Sequence, residues 1–309
     1  MNIIKKRYLF FGISLLVIIP GILALIFWHL PLGIDFTGGS LLEVKFASGT
    51  PLTTNQVNGL YVTYSAPGAD ITNPVIQPLG SDSLSIRSKV MDDATKSKMV
   101  AEMKSLSGGE VTVLHFTQVS ASVGQEVATR AAGAVALAAL FILLYITYAF
   151  RGVQHAFRYG TAAIIAMLHD VLVVVGFEAI FGHFLGWEAD SLFLTALLTV
   201  IGFSVHDTIV VFDRIRENSN LYRKIDYETL VNHSIVQTLD RSINTQLTVM
   251  MTLLALVLFG GTSIRHFVVI LLIGVFSGTY SSIFNASPIL VVWQNREWQT
   301  WFKRKPASA

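Results

Sequence analysis

The sequence predicts an α-helical membrane protein that crosses the bilayer six times and carries one separate α+β domain. The first observation is composition: 52% of the 309 residues are hydrophobic and 14% are charged, whereas about 25% of a typical soluble domain is charged. The second is a set of six apolar runs, each near or above the ~20 residues that a spanning helix needs. The third is a polar stretch of roughly 90 residues after the first run, enough for one small core.

The first apolar run follows the basic residues 5–7 and extends from Tyr8 to Leu30. A signal-peptide apolar region has about 7–15 residues and ends at a small-residue cleavage site. This run is longer, and Trp28 to Pro31 is not such a site, so residues 1–30 are interpreted as a short N-terminus and an uncleaved first helix. The other runs, within residues 122–295, are 131–150, 159–181, 191–212, 239–259 and 266–293.

The polar stretch, residues 31–121, shows the alternation of strands and helices typical of a small α+β domain. Leu42, Val44 and Phe46 alternate with polar residues, as expected of a half-buried strand. Asp92 is a predicted helix N-cap. The order strand, helix, strand, strand, helix, strand matches a ferredoxin-like split βαβ fold. The predicted elements are 40–47, 53–65, 71–78, 83–90, 92–106 and 110–119.

The distribution of basic residues predicts the orientation in the membrane. Arginines and lysines concentrate before the first run, in alternate loops and in the tail of residues 296–309, while the opposite short loops hold only Arg265. By the positive-inside rule, both termini are cytoplasmic. Residues 31–121 are therefore expected on the periplasmic side, since long loops translocate largely regardless of charge.

The fourth and fifth apolar runs carry charged residues that are costly in hydrocarbon. His206 and Asp207 lie in the fourth run, and Arg241 lies in the fifth. Such residues usually face the interior of a helix bundle and mark ion pathways. Their positions place Asp207 and Arg241 at similar depth, so we hypothesise that the two meet inside the bundle and couple ion movement. The alternatives are that Arg241 reaches the headgroups and pairs with Asp240, or that Asp207 makes a purely structural contact.

The fifth run predicts a helix with one polar face, which should lie against protein or water rather than lipid. Five polar residues follow i, i+4, i+7, i+11, i+15 spacing, which places them on one side of a helix. We call this set the polar stripe. Its members are Gln237, Arg241, Asn244, Thr248 and Thr252.

Further polar and small residues occur in the third and sixth runs. His169 and Asp170 lie near mid-membrane and suit either a structural buried pair or a place in the ion pathway. Glu178 lies near the outer end and is expected to be interfacial. Gly274, Gly278 and Ser282 have small-xxx-small spacing, with Asn285 beyond them, which predicts close helix packing, with a functional role as the alternative.

Several function classes are not indicated by the sequence. With no cysteines, disulfides, thiol chemistry and cysteine-ligated metal sites are excluded. No Walker motif, nucleotide-binding glycine fingerprint or zinc-ligand motif is present. The net charge of +2 gives no indication of nucleic-acid binding. We therefore expect no enzyme activity, no cofactor and no metal.

Four groups of residues closely resemble the SecF family of bacterial protein-export membrane proteins. The first group is Gly33 to Gly39, after the first helix, and the second is Val123 to Glu126, before the second helix. The third is Leu168 to Asp170. The fourth pairs Gly202 to Asn218 with Asp240 to Thr245. The segment order covers almost the whole chain, and the signature that begins at Gly202 is long and specific.

The resemblance implies a bundle like half of an RND-type transporter, completed by SecD. It also implies that the proton-motive force helps preproteins to leave the SecYEG channel, with YajC as a further associated protein. The essential charges of the family correspond here to Asp207 and Arg241, which are 34 residues apart as in the family. His206 replaces the usual asparagine and adds a titratable group, and Asp170 completes the expected ion-coupling set. Whether H⁺ or Na⁺ is used stays open.

Two rival functions remain. One is half of an RND-type exporter of small molecules or lipids, for which larger or paired outer domains would be expected. The other is a non-transporting assembly scaffold in the membrane, for which neutralising Asp207 would be harmless.

Overall fold

The computed structural model describes residues 2–47, 51–65, 70–153 and 155–301, and the chain divides into two compact units. The helical bundle comprises Met1–Leu30, Ala134–Trp187 and Leu192–Ala309, and the sheet unit comprises Pro31–Gly133 and Glu188–Ser191. The helices are α1 (Arg7–Trp28), α2 (Ile34–Thr37), α3 (Thr54–Thr63), α4 (Asp93–Ser107), α5 (Ala121–Ala149), α6 (Ala156–Leu185), α7 (Ser191–Leu221), α8 (Tyr227–Phe259), α9 (Thr262–Ser281), α10 (Ser287–Gln294) and α11 (Trp298–Trp301), and the strands are β1 (Gly39–Phe46), β2 (Val75–Pro78), β3 (Ser83–Ser88) and β4 (Val111–Val119).

Six helical segments in the described part of the chain are long and apolar enough to cross a membrane, which confirms the predicted number. They are longer than the apolar runs. The fifth begins at Tyr227, twelve residues before the predicted start, because Asp226 caps it by accepting a hydrogen bond from the Thr229 backbone N–H at 2.9 Å. Hydropathy marks the part that suits hydrocarbon, whereas the helix continues as far as its backbone hydrogen bonds and caps allow.

Glycines allow pairs of spanning helices to pack closely. A Cβ atom added to Gly176 of α6 would lie 2.7 Å from the Gly21 Cα of α1, so neither position has room for a side chain. A Cβ on Gly278 of α9 would lie 3.2 Å from the Ser204 Cα of α7, and one on Gly274 would overlap the Val200 side chain. The small-xxx-small interpretation of α9 is thus confirmed as close packing, with α7 as the partner.

The sixth spanning segment changes its winding in the middle. Residues Ser282–Ala286 form a π-helical turn between α9 and α10. Pro288 follows at the start of α10, and because proline lacks an N–H, it cannot bond the carbonyl four residues earlier. A π turn accommodates this loss and rotates the polar side chains that precede it.

One end of the bundle is held together by an arginine. Arg7 at the start of α1 forms ion pairs with Glu297, after α10, at 2.6 Å and with Glu228, at the start of α8, at 3.3 Å. Burial opposes ionisation of Glu297, but hydrogen bonds from Arg7 and Tyr8 outweigh it and lower the pKa of Glu297. We call this the basic end of the bundle. It is where α1, α6 and α8 begin and where α7 and α10 end.

The sheet unit has the predicted ferredoxin-like topology. Its antiparallel sheet has the order β2-β3-β1-β4. Asp92 caps α4 as predicted, accepting a hydrogen bond from the Thr95 backbone N–H at 3.0 Å. Met99 and Met103 of α4 pack against Leu42 and Val44 in the core. The predicted second strand, 71–78, is shorter in the structure and starts at Val75.

The glycine pair at the start of β1 is required by sterics. Gly38 and Gly39 have positive φ angles of 75° and 134°, a region that other residues rarely adopt. A Cβ on Gly38 would lie 2.6 Å from the Ala121 Cα, and one on Gly39 would lie 2.5 Å from the Ser88 carbonyl oxygen. The two glycines therefore let β1 lie directly against the beginning of α5.

Candidate functional site

Asp207 is buried in the bundle and is paired with an amide. Its side chain on α7 is 3% exposed, and its Oδ2 accepts a hydrogen bond from Gln246 Nε2 of α8 at 2.8 Å. Gln246 is also 3% exposed, and its Oε1 has no hydrogen-bond partner among the described residues. The sequence analysis did not identify Gln246, because this residue lies on a different side of α8 from the polar stripe.

Arg241 is not in direct contact with Asp207 in this structure. Arg241 is exposed on α8, and the described residues contain no ion pair joining it to Asp207 or to Asp240. Five residues separate Arg241 from Gln246, which places them about 140° apart around the helix. The hypothesised close contact is therefore absent in the isolated chain, and the role of Arg241 remains a proposal.

The polar stripe lies on the outside of this single chain. All five of its residues are exposed, and so is His206 on α7. Charged and amide groups rarely face lipid, since they would lose their hydrogen bonds to water without replacement. The other face of α8 is polar as well, but it is buried: Ser234, Thr238, Ser242 and Gln246. Thus α8 presents polar groups both to the bundle and away from it.

Asp170 lies at the centre of a buried hydrogen-bond cluster. The aspartate is 0% exposed and accepts hydrogen bonds from Ser204 at 2.5 Å and from Ser277 and Ser281 at 2.6 Å. His169 Nδ1 lies 2.9 Å from its Oδ1. These groups come from α6, α7 and α9, which the small-residue contacts bring close together. The sequence predicted the carboxylate but not the serines, although Ser277 of α9 directly precedes Gly278 and Ser204 of α7 follows Gly202 by two residues.

The cluster around Asp170 extends in two directions. His169 Nε2 lies 3.1 Å from Ser14 Oγ of α1, and His169 borders an apolar cavity of about 660 Å³. In the other direction, Ser204 is three residues before Asp207, or about 4.5 Å along the helix axis. One turn of α7 therefore carries Ser204, which bonds Asp170, and the next turn carries Asp207 itself.

The position predicted for Glu178 was wrong. Glu178 was expected to be interfacial, but it is 0% exposed, and its Oε2 lies 2.8 Å from His266 Nε2 of α9. The reason is that α6 continues to Leu185, so Glu178 lies two turns inside the helix end. No group of three or more metal-ligating residues occurs in the described part of the chain.

Comparisons with known proteins agree on one family. The family model described as "Protein export membrane protein SecD/SecF, C-terminal" matches residues 98–296, and the "SecD/SecF GG Motif" matches residues 29–49. The chain is 57% identical to protein translocase subunit SecF of Anaerolinea thermophila, with all of both chains covered. It is 47% identical to SecF of Thermobaculum terrenum, covering all of this chain and 99% of that relative.

Solved structures of SecDF share the fold. The crystal structure of SecDF from Thermus thermophilus, described as a translocon-associated membrane protein, matches 96% of this chain with a TM-score of 0.81 and 32% identity. The chain spans 39% of that larger protein. Six spanning segments, a ferredoxin-like sheet unit, the glycine pair and full-length relatives lead to one conclusion: this bacterial membrane protein belongs to the SecD/SecF family, as a SecF-type protein translocase subunit.

Proposed function

We propose that this chain uses the proton-motive force, together with SecD, to assist preprotein translocation through the SecYEG channel and release from it. Asp207 is the residue that takes up and releases the proton, and Arg241 adjusts its charge state. His206 and Asp170 influence the same step. SecYEG and YajC are the proposed neighbours, by analogy with the family.

The observation that carries the proposal is the Asp207–Gln246 pair. A carboxylate that is 3% exposed and has one amide donor at 2.8 Å is poorly satisfied, because an ionised carboxylate can accept about four hydrogen bonds. Asp170, by contrast, has three serine donors and a histidine neighbour. The less satisfied carboxylate is the one whose proton affinity a rearrangement of the helices can change most.

SecD is the proposed cover for the polar stripe. Relatives named SecDF, such as that of Bacillus subtilis, match 95% of this chain with 38% of their own length at 36% identity. Their name joins SecD and SecF in one chain, and this chain matches little more than a third of it, which supports SecD as the partner here. When it covers α8, Arg241 would be enclosed between the two halves and could approach Asp207, as in other buried ion pairs.

A proton that moves down the membrane potential releases about 2.3 kcal/mol per 100 mV. Protonation of Asp207 removes its attraction to Arg241 and favours one of two helix arrangements, and deprotonation favours the other. The proposed orientation has the basic end in the cytoplasm and residues 31–121 in the periplasm, because of the basic-residue asymmetry.

The test compares ATP-driven with gradient-driven preprotein export in inverted membrane vesicles that contain the complete complex. We expect Asp207→Asn to assemble normally and to lose the gradient-stimulated part, since an amide keeps the shape but cannot release a proton. Asp213→Asn, at an exposed position on the same helix, is the matched control and should behave like the native protein. Retention of gradient stimulation in Asp207→Asn would contradict the proposal.

A further inference from the structure

We infer that Glu178 and His266 form a second proton-binding site, which exchanges protons with the solvent at the end of the bundle opposite the basic end. The inference rests on the proposed proton coupling and adds to it a site of uptake. Under the proposed orientation, this end faces the periplasm, where the proton concentration is higher when the membrane is energised.

The carboxyl group of Glu178 is completely buried but only half satisfied. Its Oε2 lies 2.8 Å from His266 Nε2, while its Oε1 has no hydrogen-bond partner among the described residues. A buried ion pair with a purely structural role usually has further hydrogen bonds on its remaining lone pairs. A protonated carboxyl group is both a hydrogen-bond donor and an acceptor, so this pair has a position for a proton between Oε2 and the imidazole.

His266 connects this carboxyl group with the outside. Its side chain is 18% exposed, whereas that of Glu178 is 0% exposed. The Trp187 ring lies 4.7 Å from the imidazole, at an angle of 44°, and covers part of it. Imidazole accepts a proton at one nitrogen and donates from the other, and it does so near neutral pH.

The surroundings leave Glu178 dependent on His266 for its charge. Neighbouring helices carry no charged residue at this depth: α1 has none from Tyr8 to Trp28, α7 none from Leu192 to Val205, and α8 none from Leu247 to Phe259. The other ionisable side chains at this end include His29, His183, which stacks on Trp28 at 4.1 Å, the exposed Arg265, and the carboxylates of Glu188 and Asp190 in the loop after α6. Among the described residues, neither these nor any other charged group except His266 contacts Glu178.

The proposed transfer is balanced in protons and charge. A hydronium ion gives its proton to His266 Nδ1 and leaves as water, while the proton on Nε2 passes to Glu178 Oε2. The products are a neutral imidazole with its proton on Nδ1 and a neutral carboxyl group. Asp170 is eight residues earlier on α6, about 12 Å along the axis, so onward transfer requires water or a change of helix packing rather than a direct hydrogen bond.

The first experiment uses an apolar carbodiimide, which reacts with protonated carboxyl groups in apolar surroundings, on the native complex in membranes. Mass spectrometry of the labelled peptide should find Glu178 modified, with less modification as the outer pH rises from about 6 to about 9. His266→Gln, which removes the imidazole, should change this pH dependence. Absence of modification, or modification that is independent of pH, would overturn the inference.

The second experiment measures export and separates this inference from the proposed function. Glu178→Gln should remove most of the gradient-stimulated part and leave ATP-driven export unchanged, and Glu178→Asp should restore part of the loss. If Asp207→Asn abolishes stimulation but Glu178→Gln keeps native values and native pH dependence, Glu178 is structural and this inference fails alone. If Asp207→Asn keeps stimulation, the proposed function fails, and the carbodiimide result still decides whether Glu178 binds a proton.

Discussion

At the scale of single residues, three buried carboxyl groups differ in the number of hydrogen-bond partners that they have. Asp170 has several hydroxyl donors, Asp207 has one amide donor, and Glu178 has one imidazole neighbour and an oxygen without a partner. The free energy needed to protonate or deprotonate a carboxyl group depends on the hydrogen bonds that favour its charged or its neutral form. The series therefore separates a carboxylate held by several hydrogen bonds from the two carboxyl groups that we propose to exchange protons.

Gln246 provides a test at this scale. We expect Gln246→Leu to leave Asp207 without its donor, which favours the neutral carboxyl group and lowers gradient-stimulated export more than ATP-driven export. The loss of one hydrogen bond to a charged group is worth about 1.5–3 kcal/mol. Measurement of both export modes across a range of pH checks this. Thr199→Val is a control, because its hydroxyl bonds only the carbonyl of Thr195 within α7. Identical pH profiles for Gln246→Leu and the native protein would contradict the assignment.

At the scale of elements, glycine contacts determine which helix faces meet. The approach of α1 to α6 at Gly21 and Gly176 places Ser14 near His169. The approach of α7 to α9 at Gly278 lets Ser204 and Ser281 donate to the same oxygen of Asp170. Because polar contacts in a bundle need short interhelical distances, the small residues and the polar cluster depend on each other.

A pair of substitutions on α1 tests this dependence. Gly21→Ala would place a Cβ 2.9 Å from the Gly176 Cα, whereas Gly12→Ala meets nothing within 4 Å. We expect Gly21→Ala to destabilise the bundle by about 1–3 kcal/mol through overpacking, with Gly12→Ala neutral or slightly stabilising. Thermal unfolding of the purified complex in detergent measures the difference. Equal unfolding midpoints for the two variants would contradict this expectation, because the α1–α6 contact would then accommodate the added methyl group without loss of stability.

At the scale of the whole molecule, the orientation of the chain in the membrane can be tested directly. We expect a cysteine at Asp82 to react with a membrane-impermeant thiol reagent from the periplasmic side only, and one at Arg223 from the cytoplasmic side only. The chain has no native cysteines, so no background labelling interferes. Reaction at Asp82 from the cytoplasmic side would overturn the proposed topology.

The surface that contacts SecD can also be tested at this scale. Thr248 is exposed on the polar stripe of α8, whereas Leu253 on the same helix is 7% exposed. Single cysteines at these positions, combined with cysteines placed along the spanning helices of co-expressed SecD, should cross-link at Thr248 and not at Leu253. Cross-linking of Thr248 to a second copy of this chain, with none to SecD, would contradict the proposed pairing.

The sequence alone determined the six spans, the ferredoxin-like order of the sheet unit, the glycine pair and the buried position of Asp207. Composition and periodicity are enough for these, because each spanning segment must satisfy its own backbone and expose apolar side chains to lipid. Only the tertiary structure decided that Gln246 rather than Arg241 meets Asp207, that serines surround Asp170 and that Glu178 is buried beside His266. These depend on the rotation of each helix and on where it ends, which result from packing between segments far apart in the chain and leave little trace in local sequence.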